Sequence, residues 1–249
     1  MGLAELLDIR PGVTAIIGSG GKTTLLQMLG EELAEQGCRV ILTTTTKIFP
    51  FSDVKTLTVP TEDEIAAAFA QQKLVCVGTP FGDTGKLTAP ELSMECLARL
   101  ADCVLVEADG SARLPLKAHE PHEPVIPAGA NQTICVVGLS GFGRPIREAV
   151  HRPERFAELA DVTVESAATP ELVARVLRAE ALADRYVFNQ AEEVERWAWA
   201  RRCGELLDRP WTAAALQRGV FGTCELRSEV PAIWPPASPC GCGGPTCKS

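Results

Sequence analysis

The sequence predicts an α/β fold, a mainly parallel sheet flanked by helices, and three observations predict it. Residues 13–17 form a short apolar, β-rich run that leads into Gly18-Ser19-Gly20-Gly21-Lys22-Thr23-Thr24 and then into a stretch of helical period. Strand-like and helix-like segments keep alternating downstream, the pattern of parallel strands joined by crossover helices. A second apolar run, Val104-Leu105-Val106, ends in the acids Glu107 and Asp109.

In chain order, residues 23–36 read as the first helix, with Leu26, Leu29 and Leu33 on one face and Gly37 as its stop. Residues 39–43 follow as a strand, and 57–59 as a weak one. Thr61 with Glu64 has capping-box spacing and opens a helix through about residue 71. Residues 74–78 are a strand, 80–89 a glycine- and threonine-rich loop, and 90–100 a helix with Pro90 in its first turn. The acid-bearing strand spans 103–107. Residues 111–130 are proline-rich and polar, long for a connection, which points to a functional loop. Then come a strand at 133–138, an irregular stretch at 140–153, a helix opened by Thr169-Pro170-Glu171, a strand at 185–188, a helix at 191–207 and one or two edge strands within 212–225. Residues 1–230 therefore read as one α/β domain, and 231–249 as a Pro/Cys-rich tail.

The composition fits that reading: 249 residues, 46% of them hydrophobic, can bury a sizeable core. A net charge of −8 with scattered lysines and arginines argues against nucleic acid or an anionic membrane as the main partner. Glu5, Asp8 and Arg10 interrupt the early apolar residues, so the N-terminus lacks a signal-peptide layout, and no apolar run is long enough to cross a bilayer. The expected location is the cytoplasm. Of the ten cysteines, Cys38, Cys76, Cys96, Cys103 and Cys135 sit singly in apolar surroundings and read as small core residues.

The glycine loop carries the chemistry. Glycines let the backbone curl so that N–H groups point at phosphate oxygens, and the following helix contributes the positive end of its dipole. In this P-loop NTPase-like reading Gly18, Ser19, Gly20, Gly21, Lys22, Thr23 and Thr24 cradle the phosphates of ATP or GTP. Lys22 reaches the β- and γ-phosphates, and Thr23 ligates Mg²⁺. The spacing is tighter than G-x-x-x-x-G-K-[ST], because Ile16 stands where the first glycine belongs. The compact form resembles the loop of Mur-type ligases and that of dimeric P-loop ATPases. Glu107 and Asp109 are the metal-side candidates: in a P-loop fold their strand lies beside the loop strand, by alternation the two point to the same side, and either acid could hold Mg²⁺ while the other orients water or substrate. Thr43-Thr44-Thr45-Thr46-Lys47 follows the second strand; its hydroxyls could touch metal or phosphate, or simply continue the strand.

Three further segments contain reactive side chains. In His119-Glu120-Pro121-His122-Glu123-Pro124 the prolines force an extended form, so His119 and His122 could bind a metal or exchange protons, or the segment could be a rigid connector. Arg113 and Lys117 nearby could meet an anionic group. Asn189-Gln190-Ala191-Glu192 resembles an N-K-x-D base-recognition corner with Gln190 and Glu192 substituted, and Asn189 as a helix cap is the alternative. Cys240, Cys242 and Cys247 place three thiols close enough to share a soft metal, unless the tail is merely a tail.

The glycine loop, the Thr-Thr-Thr-Lys stretch, Glu107-Ala108-Asp109-Gly110-Ser111, Leu114-Pro115-Leu116-Lys117 and His122-Glu123-Pro124-Val125-Ile126-Pro127 occur in one order. Together they resemble the YqeC-type selenium cofactor biosynthesis proteins, over roughly residues 10–190. The resemblance implies an accessory role in maturing selenium-dependent molybdenum hydroxylases, with such a hydroxylase or its cofactor as partner. On that pathway the cysteine tail would also suit reduced selenium, held as a selenosulfide. Three readings follow: a Mg²⁺-dependent NTP-hydrolysing or phosphoryl-transferring protein, a nucleotide-gated carrier of selenium or cofactor, and a Mur-like ATP-dependent ligase.

Overall fold

The alternation of strand and helix holds along the chain, and in the computed structural model it builds one large sheet. Residues 1–222 are described. In order they form α1 (Leu3–Leu6), β1 (Gly12–Gly18), α2 (Lys22–Glu35), β2 (Val40–Thr44), β3 (Lys55–Thr58), α3 (Glu62–Phe69), β4 (Leu74–Pro80), β5 (Leu87–Thr88), α4 (Met94–Leu100), β6 (Cys103–Glu107) and β7 (Leu116–Lys117). Then follow β8 (Gln132–Gly138), α5 (Ile146–Ala149), β9 (Val150–His151), α6 (Pro153–Ala160), α7 (Pro170–Glu180), β10 (Arg185–Asn189), α8 (Val194–Gly204), β11 (Trp211–Ala215) and β12 (Val220–Gly222).

The strand order is β12-β11-β10-β8-β1-β6-β2-β4-β3, with β5 added to β4. Pairing is parallel except at β12 and β5. The loop-bearing strand β1 lies between β6 and β8, with Ile16 opposite Glu107 and Gly18 opposite Val136. The acid-bearing strand is thus the neighbour of β1, as the sequence predicts. Both faces of the sheet are buried. Ile16, Leu42, Leu105 and Val136 pack against α1 and α2. Alternate residues such as Ala15, Ile17 and Phe188 face α6, α7 and α8, while Ile41 and Val104 face α3 and α4. Leu25, Leu26, Leu29 and Leu33 of α2 are buried, each stabilising the fold by roughly 1.5–3 kcal/mol. A Cβ on Gly30 would stand 2.8 Å from Leu42, so glycine lets α2 approach the sheet closely.

Local signals explain several boundaries. Thr61 and Glu64 form the capping box at α3, and Thr169 caps α7 with Pro170 behind it. The helix expected from Pro90 instead starts at Met94, because the Ser93 hydroxyl accepts from Cys96 N–H and fixes the N-terminus there. The last helix is shorter than 191–207, spanning Val194–Gly204. The stretch 140–153, expected to be irregular, holds α5 and β9, and β9 pairs with β7 in a separate small sheet. Cys76, Cys96, Cys103 and Cys135 are buried free thiols, whereas Cys38 is half-buried. Among the described residues no helix is long and apolar enough to cross a membrane. The domain boundary at 230 and the thiols Cys240, Cys242 and Cys247 lie outside the described residues.

Candidate functional site

The glycine loop is a backbone cradle fixed from three sides. Gly18, Gly20 and Gly21 have φ of 88°, 87° and 129°, a region that L side chains rarely adopt. A Cβ at Gly20 would stand 2.4 Å from Gly138 Cα. Ser19 N–H donates to Val136 O at 2.8 Å, and its buried hydroxyl donates to Leu114 O. Asn189 Nδ2 donates to Gly20 O at 2.8 Å. α2 then begins at Lys22 with Gly21 as N-cap, no side-chain cap and no acid in its first turn. Its leading N–H groups are therefore not claimed by a side chain, the condition for anion binding at a helix N-terminus.

Behind the loop lies a chain of buried charges. Lys22 Nζ donates to Gly18 O at 2.7 Å and pairs with Asp109 Oδ1 at 3.0 Å, and Lys22 is only 4% exposed. Asp109 is fully buried; its Oδ2 accepts Gly18 N–H at 2.8 Å and meets His119 Nε2 at 2.7 Å and Lys117 Nζ at 3.5 Å. His119 Nδ1 in turn faces Glu180 Oε2 at 2.9 Å. Lys117 donates to Glu123 Oε2 at 2.8 Å, and Arg152 Nε reaches Glu123 Oε1 at 3.3 Å. Burial pushes the Asp109 carboxyl up, but His119, Lys22 and Lys117 outweigh it and hold the group below the ordinary carboxylate value. Burial pushes His119 down, but its bonds to Asp109 and Glu180 lift it to about 9. His119 is therefore an imidazolium at neutral pH.

In front of the loop is a cleft of about 300 Å³ lined by loop residues together with Glu107, Arg113, Ser140 and Gln190. Thr23 Oγ1 donates to Glu107 Oε2 at 3.0 Å. Burial raises the Glu107 carboxyl above its usual value, against the pull of Lys22 and Thr23. Gln190 adopts φ of 69°, and its Oε1 accepts from Ser140 Oγ at 2.6 Å. That leaves the Gln190 amide nitrogen as the donor end.

The predicted residues divide between these two regions. Gly20, Gly21, Lys22, Thr23, Thr24 and Glu107 line the cleft. Asp109, the alternative metal-side acid, is a fully buried counterion behind the loop. Asn189 does not present its amide to a base. Nδ2 is bonded to Gly20 O, and Oδ1 accepts Leu216 N–H at 3.1 Å; nor does it cap α8, whose N-cap is Glu193. The tandem His-Glu-Pro does not pair its histidines: His119 is buried between two carboxylates, while His122 is exposed. Among the described residues no group of three His, Cys, Asp or Glu side chains is arranged to hold a metal. The Thr44 hydroxyl donates to Glu107 O, and Lys47 lies over the Phe81 ring at 3.7 Å, so this stretch supports β6 more than it faces the cleft. Glu180, Leu114 and Ser140 escape sequence reasoning. Their partners lie 61, 95 and 50 residues away, and no local pattern marks them.

A family model described as YqeC protein matches residues 14–154. A curated relative, the uncharacterized protein YqeC of Escherichia coli (strain K12), is 35% identical over 161 residues, 62% of each chain. The chain thus spans less than two thirds of that relative's length. Among solved structures, FlhF complexed with GMPPNP and Mg²⁺ is 14% identical with a TM-score of 0.39, covering 82% of this chain and 66% of that one. FtsY from Mycoplasma mycoides is 11% identical with a TM-score of 0.39, covering 82% of this chain and 61% of that one. At that score the likeness is too distant to decide fold or function.

Proposed function

The chain belongs to the YqeC family, and we propose that its glycine loop binds a nucleoside triphosphate, ATP or GTP, with Mg²⁺. The observation that carries this reading is the junction of β1 and α2. The positive-φ glycines Gly20 and Gly21 and an uncapped helix start open onto a cleft, and Lys22 sits at the first helical position. Loop N–H groups and the helix dipole take the phosphate oxygens. Lys22 adds a point charge once phosphate draws it from Asp109. Thr23 and Glu107, hard oxygen donors 3.0 Å apart on the cleft, fit a Mg²⁺ ion, whose role when bound is to neutralise β- and γ-phosphate charge. Asp109 serves as the buried counterion that positions Lys22. Hydrolysis or phosphoryl transfer at this site, in support of the selenium-containing cofactor of molybdenum hydroxylases, is the role the motif resemblance favours.

Calorimetric titration with ATP and GTP, with and without Mg²⁺, tests the reading. Saturable binding that Mg²⁺ strengthens, and that Thr23→Val separates from the metal, is the expected result. Heats no larger than dilution for both nucleotides would end it.

One observation favours the nucleotide-gated carrier over a turnover enzyme. Lys22 is held by Asp109, which connects through His119 to Glu180 at the end of α7. Phosphate that takes Lys22 alters the charge balance along that chain, so occupancy could be transmitted to α7. Rapid multiple turnover by the isolated protein supports the enzyme, whereas slow hydrolysis accelerated only by a client hydroxylase supports the carrier.

A further inference from the structure

Arg113 lines the cleft without belonging to the charge chain behind it. The turn that carries it is fastened to the glycine loop. Leu114 N–H donates to Ser111 O at 2.9 Å, and Leu114 O accepts the Ser19 hydroxyl. Pro115 O accepts Gly138 N–H at 2.9 Å and lies 3.0 Å from where a Cβ on Gly20 would stand. At the tip, Ala112 and Arg113 have φ of 48° and 61°, two consecutive L residues in the left-handed region. Backbone strain of this kind persists where surrounding contacts over-determine it, and it concentrates at binding sites.

The cleft's charges give Arg113 a task. Lys22 is opposed by Asp109, and Glu107 adds a further acid. Among the described residues lining the cleft, Arg113 is the cation with no acidic partner. A triphosphate exceeds a diphosphate by one terminal phosphate, and a Mg²⁺ ion held by Thr23 and Glu107 would help neutralise the phosphate charge. The planar guanidinium fork matches phosphate oxygens in geometry as well as charge. We propose that Arg113 engages the terminal phosphate of the bound nucleotide, so that the cleft distinguishes triphosphate from diphosphate. The inference rests on the nucleotide-binding reading above and assigns the part of that site that reads phosphate number.

The test uses the full chain and calorimetry with Mg²⁺, the probes being ADP, GDP and the non-hydrolysable imidotriphosphates of adenosine and guanosine. Arg113 is exposed, so Arg113→Ala and Arg113→Lys should fold, which circular dichroism checks. Arg113→Ala is expected to weaken triphosphate binding by about 10- to 100-fold, the size of a lost charge-assisted hydrogen bond, and to leave diphosphate binding nearly unchanged. Arg113→Lys should recover part of the loss. An unchanged triphosphate-to-diphosphate ratio in Arg113→Ala overturns the assignment while leaving the nucleotide reading intact. Wild-type protein that binds none of the four probes overturns both.

Discussion

Asp109 has no exposed surface, yet it stays ionised because Lys22, Lys117 and His119 surround it. Asp109 and Glu180 in turn hold His119 protonated up to about pH 9. A histidine raised above its unfolded value contributes stability that is full below about pH 6.5 and lost as pH rises through its folded value. Chemical denaturation between these limits should therefore show stability falling by roughly 3 kcal/mol in the wild type, with a much flatter profile in His119→Gln. Parallel profiles would remove His119 from the charge chain. Glu107 also favours the pH side on which it is protonated, but here the charged form is the disfavoured one. Its carboxyl is raised by burial, so ionising it costs stability at neutral pH. Glu107→Gln keeps an acceptor for Thr23 and should melt at a higher temperature than wild type while losing the Mg²⁺ dependence of nucleotide binding. A lower melting temperature would contradict that balance.

The loop behaves as an element because its neighbours leave no room for change. Gly20→Ala would place a methyl 2.4 Å from Gly138 Cα at a positive φ. A stability loss of at least about 1–3 kcal/mol and failure of nucleotide binding are expected, read by melting and titration together. Asn189→Ala removes the two bonds that tie Gly20 and Leu216 to the end of β10, so it should cost about 1–3 kcal/mol and weaken ATP and GTP to the same degree. Selective loss of one base would restore Asn189 to base recognition. Elements with strong local signals were legible in the sequence. The glycine loop, α2, the capping box at Thr61 and the Thr169-Pro170 start all announce themselves within a few residues. The small sheet of β7 and β9 did not, since two-residue strands carry no periodicity and are fixed by tertiary pairing. α4 starts after Ser93 rather than at Pro90 because the Ser93 hydroxyl caps the helix there, a choice made by tertiary context and not by the proline signal.

In the whole molecule, the sheet order explains why the site lies where it does. β1 is central, so its loop meets β6 and Glu107 on one side and β8 on the other. The sequence announced the neighbour of β1 through its acids. Alternation would put Glu107 and Asp109 on the same side; that expectation fails because Asp109 lies beyond the end of β6, buried behind the loop, while Glu107 faces the cleft. His119 was visible as a reactive residue, but its partner Glu180 depended on how α7 docks.

The central claim is that Lys22 is held by Asp109 until a phosphate takes it. Lys22→Ala should retain the fold, since Lys117 and His119 still face Asp109, at a cost below about 3 kcal/mol. Calorimetric titration of this variant with ATP and GTP in the presence of Mg²⁺, beside its melting curve, tests the claim most directly. The account predicts a folded protein whose nucleotide affinity is reduced at least about 10-fold; a folded variant that binds both nucleotides as tightly as the wild type would contradict it.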